Sequence, residues 1–188
     1  MDATTMTTAC ESTQKVVDRI TDDALDRPTP CREWTVRQLL NHVIGTLHLG
    51  RALLEDDAPP HGMTPGGLPE DDLLDGDPAK AYRVGVEGLL AAARPDTFAR
   101  MHSTPFGDMP GEILGGFTTL DIAVHGWDLA TATGVELDLG DALAEDILAF
   151  GHQTLTDETR APRIGPEVPV DQSASATDRL VAFLGRTP

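Results

Sequence analysis

The sequence predicts an all-α fold, a four-helix bundle with additional C-terminal helices and short extended segments. Apolar residues recur at helical spacing over long stretches, and Pro- and Gly-rich tracts separate those stretches cleanly. Internal repeats and low-complexity tracts are missing, which argues against solenoid and disordered classes. A chain of 188 residues is long enough to bury a core and is expected to form a single domain over residues 1–188.

The first helix is expected from about Thr5 to Ile20, where Met6, Ala9, Val16, Val17 and Ile20 share a face and Pro28 and Pro30 forbid continuation. The second runs from Trp34 to Leu54, with Thr35 as N-cap and Val36, Leu39, Leu40, Val43 and Leu47 as its apolar stripe. Breakers between Asp57 and Gly76, among them Pro59, Pro60, Pro65, Gly66, Gly67 and Pro69, predict a long loop of the kind that is often a functional lid or else disordered. Pro78 opens a third helix to about Ala93, with Gly85 and Gly88 weakening it. Pro95 to Gly111 reads as an extended stretch or short hairpin. A fourth helix spans Glu112 to Thr133 and is ended by Gly134. Asp141 is expected to cap a fifth helix through Leu143, Ile147, Leu148 and Phe150. Thr159 to Gln172 reads as extended, and a short helix near Ser175 to Leu184 closes the chain.

The formal net charge of −17 repels phosphate backbones and anionic lipid, and no Lys/Arg cluster compensates, so nucleic acid and membrane partners are disfavoured. Cys10 and Cys31 make neither a CxxC pair nor a disulfide framework. With no basic-plus-apolar leader and no apolar run of membrane-spanning length, a cytoplasmic protein is expected.

The chemistry concentrates in Phe117–Ala130. Asp121, His125 and Asp128 stand at i, i+4 and i+7, on one stripe of the fourth helix beside Phe117 and Val124. An acid and an imidazole one turn apart are common in helices for ordinary reasons, and a metal site needs a third ligand. His42 supplies one: it stands at the edge of the second helix's apolar stripe, and bundles build metal sites from facing helices. His42, Asp121 and His125 would leave coordination positions open, in a two-His-one-carboxylate set that suits Zn²⁺ and also accepts Ni²⁺, Mn²⁺ or Fe²⁺. Asp128 is the candidate catalytic or ligand-orienting carboxylate, against the plainer reading of a solvated acid late in a helix. Trp127 reads as core or wall. His48, His61, His102 and His152 lack an acid at ligand spacing and read as surface histidines. Cys31 precedes a helix terminus that can activate a thiol, but an inert thiol in a packed loop is the plainer reading.

Three blocks carry a family resemblance: Pro28-Thr-Pro-Cys-Arg-Glu-Trp-Thr-Val-Arg-Gln-Leu-Leu-Asn-His42, Asp121-Ile-Ala-Val-His-Gly-Trp-Asp-Leu-Ala130 and Asp178-Arg-Leu-Val-Ala-Phe-Leu-Gly-Arg186. The chain resembles the DinB-like superfamily, specifically small proteins related to the N-terminal domain of mycothiol-dependent maleylpyruvate isomerase. The resemblance implies a four-helix bundle whose metal is held by a His of the second helix and an acid-x-x-x-His pair of a later one, hence by His42, Asp121 and His125. Asp121 stands where the family commonly has Glu, one methylene longer, so the metal would sit nearer this helix, bind through water or be held more weakly.

The resemblance further implies a metal-dependent S-transferase or isomerase that uses a low-molecular-weight thiol such as mycothiol against a small electrophile. Arg37 or Arg83 could hold a substrate carboxylate, although exposed arginines are the plainer reading. Two alternatives stay open: a metal-dependent hydrolase, with Asp121 or Asp128 as base to a water, and a non-catalytic metal-binding or interaction module. Homodimerisation through bundle helices is compatible with the pattern, without an identifiable patch.

Overall fold

The computed structural model of the chain describes every residue except 32–33, 61, 106, 157–159, 161–163 and 172. The described residues are mostly helical, with one two-stranded sheet. They divide into two compact units, Met1–Leu137 and Asp138–Pro188.

In the first unit, α1 covers Ala3–Val17 and starts earlier than the apolar pattern indicated, because Asp2 caps it by accepting from the Thr5 amide at 2.9 Å. It stops short of Ile20 and gives way to a 3₁₀ turn at Asp22–Ala24. α2 covers Val36–Leu54, with Thr35 and Gln38 forming the reciprocal capping pair at its start. α3 covers Pro78–Ala92, capped by Asp77 with Pro78 in the first turn.

The stretch expected to be extended or a hairpin begins instead with a short helix, α4 at Pro95–Ala99; Pro95 presets its first turn and the Thr97 hydroxyl accepts from the Arg94 amide at 2.9 Å. The hairpin follows as β1 (Met101–Thr104) and β2 (Gly107–Pro110), antiparallel with Met101 opposite Pro110. α5 covers Gly111–Thr133 and ends at Gly134, whose φ of 73° is the left-handed geometry glycine adopts without strain.

α1 packs against α5 and α3, and α2 packs against α3 and α5. Leu39, Leu40, Val43, Ile44 and Leu47 of α2 and Ile122 and Leu129 of α5 share one core with Met6, Val16, Tyr82 and Leu89. α5 is buried around most of its circumference. At Gly126 a side-chain Cβ would come within 2.4 Å of Thr13 Oγ1, so the absence of a side chain lets α1 lie close against the residue next to His125. The Thr13 hydroxyl then donates to the Ile122 carbonyl at 3.2 Å.

In the second unit, α6 covers Asp141–Thr154 and packs against α7, Ala176–Phe183. Asp141 does not cap α6 through its side chain. It is the first helical residue, after Gly140 at φ 70°, and acts only as an acid in the positive first turn. Ser175 caps α7 by accepting from the Asp178 amide at 3.0 Å. Residues 164–171 form neither helix nor strand; within the stretch expected to be extended Arg160 is helical, and Thr159, 161–163 and Gln172 lie outside the described residues.

Candidate metal centre

His42 faces α5 because it sits one turn before Thr46 on the same side of α2, and the apolar stripe beside it fixes that side inward. Asp121, His125 and Asp128 share the facing stripe of α5. The contact between the two helices brings one ligand atom from each of His42, Asp121 and His125 within 4.8 Å of one another. His42 Nε2 is 3.2 Å from Asp121 Oδ2, and His125 Nε2 is 3.5 Å from Asp121 Oδ1. The rings of His42 and His125 stand edge to face, centroids 4.9 Å apart.

The far side of each ring determines which nitrogen is available. His42 Nδ1 lies 2.7 Å from the Gly67 carbonyl oxygen, which only accepts, so Nδ1 carries the proton and a neutral ring keeps its lone pair on Nε2. His125 Nδ1 lies 2.9 Å from Asp128 Oδ2, the arrangement in which a carboxylate orients an imidazole and leaves Nε2 to ligate. Among the described residues His42 Nε2 has no hydrogen-bond partner and is buried. In the neutral ring its lone pair would face the Asp121 oxygen, a pair of donor atoms that could hold a cation. Thr46 donates to Asp121 Oδ2 at 2.9 Å and holds that carboxylate in place.

The charges follow the same geometry. Burial works against a charged His42 ring, but the Asp121 carboxylate outweighs it and raises the His42 pKa above its ordinary value. Burial likewise pushes the Asp121 carboxyl up, yet attraction to the adjoining His42 and His125 rings in their charged form, with the Thr46 hydrogen bond, holds it well below the usual carboxylate range. The His42 and His125 side chains are 1% and 9% exposed against 29% for Asp121, so solvent reaches the centre from the carboxylate side.

Asp128 is fully buried and paired with His125, which rules out a solvated acid. His102 also departs from the surface reading. It is buried, with Nδ1 3.0 Å from Asp56 Oδ1 and Nε2 2.7 Å from the Thr97 carbonyl oxygen, an acid brought near only by the fold. His48 is half-buried, His152 is exposed and stacks on Phe183, and His61 lies outside the described residues. Arg37 and Arg83 are about half exposed, beside Asp72 and Asp18 respectively. Cys10 is buried, and burial pushes its thiol up to about 12.

Sequence reasoning missed Trp34, Thr46 and the Gly67 carbonyl as contributors, and weighed Cys31 only as a lone thiol apart from the centre. Trp34 packs its ring 4.6 Å from His42 and 6.1 Å from His125, centroid to centroid, forming a wall of the centre. The half-buried Cys31 places its sulfur within 4.8 Å of ligand atoms of His125 and Asp128. Both are aimed by a turn in which Thr29 Oγ1 donates toward the Cys31 and Trp34 carbonyls, at 3.1 and 2.9 Å. Thr46 could have been found, being at i+4 from His42; the Gly67 carbonyl carries no side-chain signature.

A family model described as the mycothiol maleylpyruvate isomerase N-terminal domain matches residues 6–130, a span that contains the whole centre. Two relatives from Mycobacterium tuberculosis, uncharacterized protein MT0763 of strain CDC 1551 and uncharacterized protein Rv0738 of strain H37Rv, are each 34% identical over 168 residues, covering 88% of this chain and 86% of their own length. No solved structure matches the chain.

Proposed function

Since the chain belongs to the mycothiol maleylpyruvate isomerase N-terminal domain family, we propose that it is a divalent-metal-dependent enzyme that uses a low-molecular-weight thiol of the mycothiol type, as an S-transferase or isomerase. In this reading His42, Asp121 and His125 are the metal ligands, and α1, α2, α3 and α5 form a DinB-like four-helix bundle. The observation that carries it is the convergence of His42 Nε2, buried and without a hydrogen bond among the described residues, on an Asp121 oxygen at 3.2 Å and on His125, the three ligand atoms within 4.8 Å of one another. Two imidazoles and a carboxylate suit Zn²⁺ first, with Ni²⁺, Mn²⁺ or Fe²⁺ as competitors.

A divalent ion bound there would stabilise the thiolate, the nucleophilic form of a thiol cosubstrate. The protein's own part is positioning. The Gly67 carbonyl and Asp128 hold protons on the two Nδ1 atoms, which keeps both Nε2 lone pairs inward. Thr46 holds the Asp121 carboxylate, and Trp34 walls the His42 side against water. Full burial suits Asp128 to orienting His125 more than to exchanging a proton with a substrate.

The partners proposed are a small electrophile and the thiol, in the cytoplasm, without nucleic acid or membrane. Among the described residues no helix is long and apolar enough to cross a membrane.

Purified protein should contain close to one equivalent of metal and, with a thiol, conjugate a chlorinated nitroaromatic. His42→Ala should abolish both. Thiol-independent ester hydrolysis would favour the hydrolase, and unchanged metal content in His42→Ala would overturn the site.

A further inference from the structure

We infer that Asn41 is a positioning residue for this centre: by gripping the loop between α2 and α3 it holds the Gly67 carbonyl against His42 and so selects the ring nitrogen that faces Asp121. The inference deepens the metal-binding reading and rests on it for its functional meaning, while its structural core stands on hydrogen bonds alone.

Asn41 and His42 are neighbours on α2, about 100° apart around the helix axis, so their side chains leave in different directions. Asn41 uses both ends of its amide on the loop. Nδ2 donates to the Asp71 carbonyl at 2.9 Å, and Oδ1 accepts from the Leu73 amide at 2.7 Å. His42 Nδ1 donates to the Gly67 carbonyl of the same loop at 2.7 Å. Helix and loop thereby close a hydrogen-bonded ring with the two adjacent residues as its two attachment points. Met63 and Pro69, on either side of Gly67, are buried, so the intervening backbone is seated as well as tethered.

Among its described residues the loop has no regular helix or strand to hold its carbonyls in register. Without the Asn41 grip the Gly67 oxygen would be free to withdraw and water to replace it. Water both donates and accepts, so it does not discriminate between the two neutral forms of imidazole. A His42 ring protonated on Nε2 would point an N–H, not a lone pair, at the cation position, and could not ligate through that atom. The Pro- and Gly-rich loop thus acts as part of the centre's outer support, and Asn41 is its anchor.

The test combines nitrogen NMR of the His42 ring in chelator-treated protein, at a pH high enough to neutralise the ring, with zinc titration. Wild type should show the Nδ1–H form alone, Asn41→Ala a mixture of both forms, and zinc affinity should fall about tenfold or more, the range for loss of an outer support. Asn41→Asp, which keeps the acceptor for Leu73 but loses the donor, should fall between and serves if Asn41→Ala fails to fold. A pure Nδ1–H ring in folded Asn41→Ala, or zinc affinity equal to wild type, overturns the proposal. If wild type takes up no zinc the metal reading fails separately, and the tautomer measurement alone decides the role of Asn41.

Discussion

Replacing Asp128 with Asn tests the centre without disturbing its shape. The side chain is fully buried and its oxygen sits 2.9 Å from His125 Nδ1, so the substitution keeps the volume and an acceptor while removing the charge that favours ligation. Loss of an outer carboxylate of this kind costs about 10- to 100-fold in metal affinity, which at about 1.4 kcal/mol per decade is roughly 1.4–2.7 kcal/mol. Asp128→Ala goes further, leaving Nδ1–H without its partner in a buried space, and should add about 1–3 kcal/mol of folding destabilisation. Competition against a chromophoric zinc chelator at fixed pH measures the first effect, and thermal melting by circular dichroism the second. Zinc affinity in Asp128→Asn within about twofold of wild type would refute the orienting role, since the charge-assisted bond would then contribute almost nothing beyond a neutral one.

Asp121→Ala should lose stoichiometric zinc, whereas Asp121→Glu should keep it, because the carboxylate survives with one more methylene of reach; equal retention in both variants would remove Asp121 from the ligand set. Gly126→Ala drives a Cβ to within 2.4 Å of Thr13 Oγ1 and should cost about 1–3 kcal/mol by overpacking, seen as a lower Tm; an unchanged Tm would mean that α1 shifts freely along α5. In the metal-free protein the raised His42 stabilises the fold below its ordinary value of 6.5, an effect lost as pH climbs through its folded value. The lowered Asp121 stabilises above its ordinary 3.8, and that is lost as pH falls through its folded value. The pair should therefore contribute between about pH 3.8 and 6.5, and chelator-treated His42→Gln should lose that contribution in Tm profiles. Zinc affinity should run the other way, rising with pH as protons stop competing for Nε2.

The long helices of the first unit, α1, α2, α3 and α5, were legible because their signals are local, whereas the short α4 was not. Thr35 sits where capping chemistry requires it, Pro78 stands in the first turn of α3, and Gly134 ends α5 where a left-handed residue is needed. α1 starts two residues before the expected Thr5 because Asp2 caps it there, ahead of Met6, the first residue of its apolar stripe. The stripe of Asp121, His125 and Asp128 was readable from spacing, and His42 from its place at the edge of an apolar face. The rest of the centre arises from contacts that spacing cannot encode. A carbonyl from a loop 25 residues away sets the His42 proton, and a turn outside any helix brings in Trp34 and Cys31. His102 illustrates the same limit. Asp56 is 46 positions distant, and only the hairpin's return to the end of α2 makes them a pair.

The uneven exposure of the three side chains, with both imidazoles covered and the carboxylate partly open, makes Asp121 the most accessible of the three to solvent. A visiting molecule would meet Asp121 first, while the inner wall is committed to holding the fold together. Replacing a residue on that outer side would change what meets the carboxylate, whereas replacing an inner one would change the packing of the helices themselves.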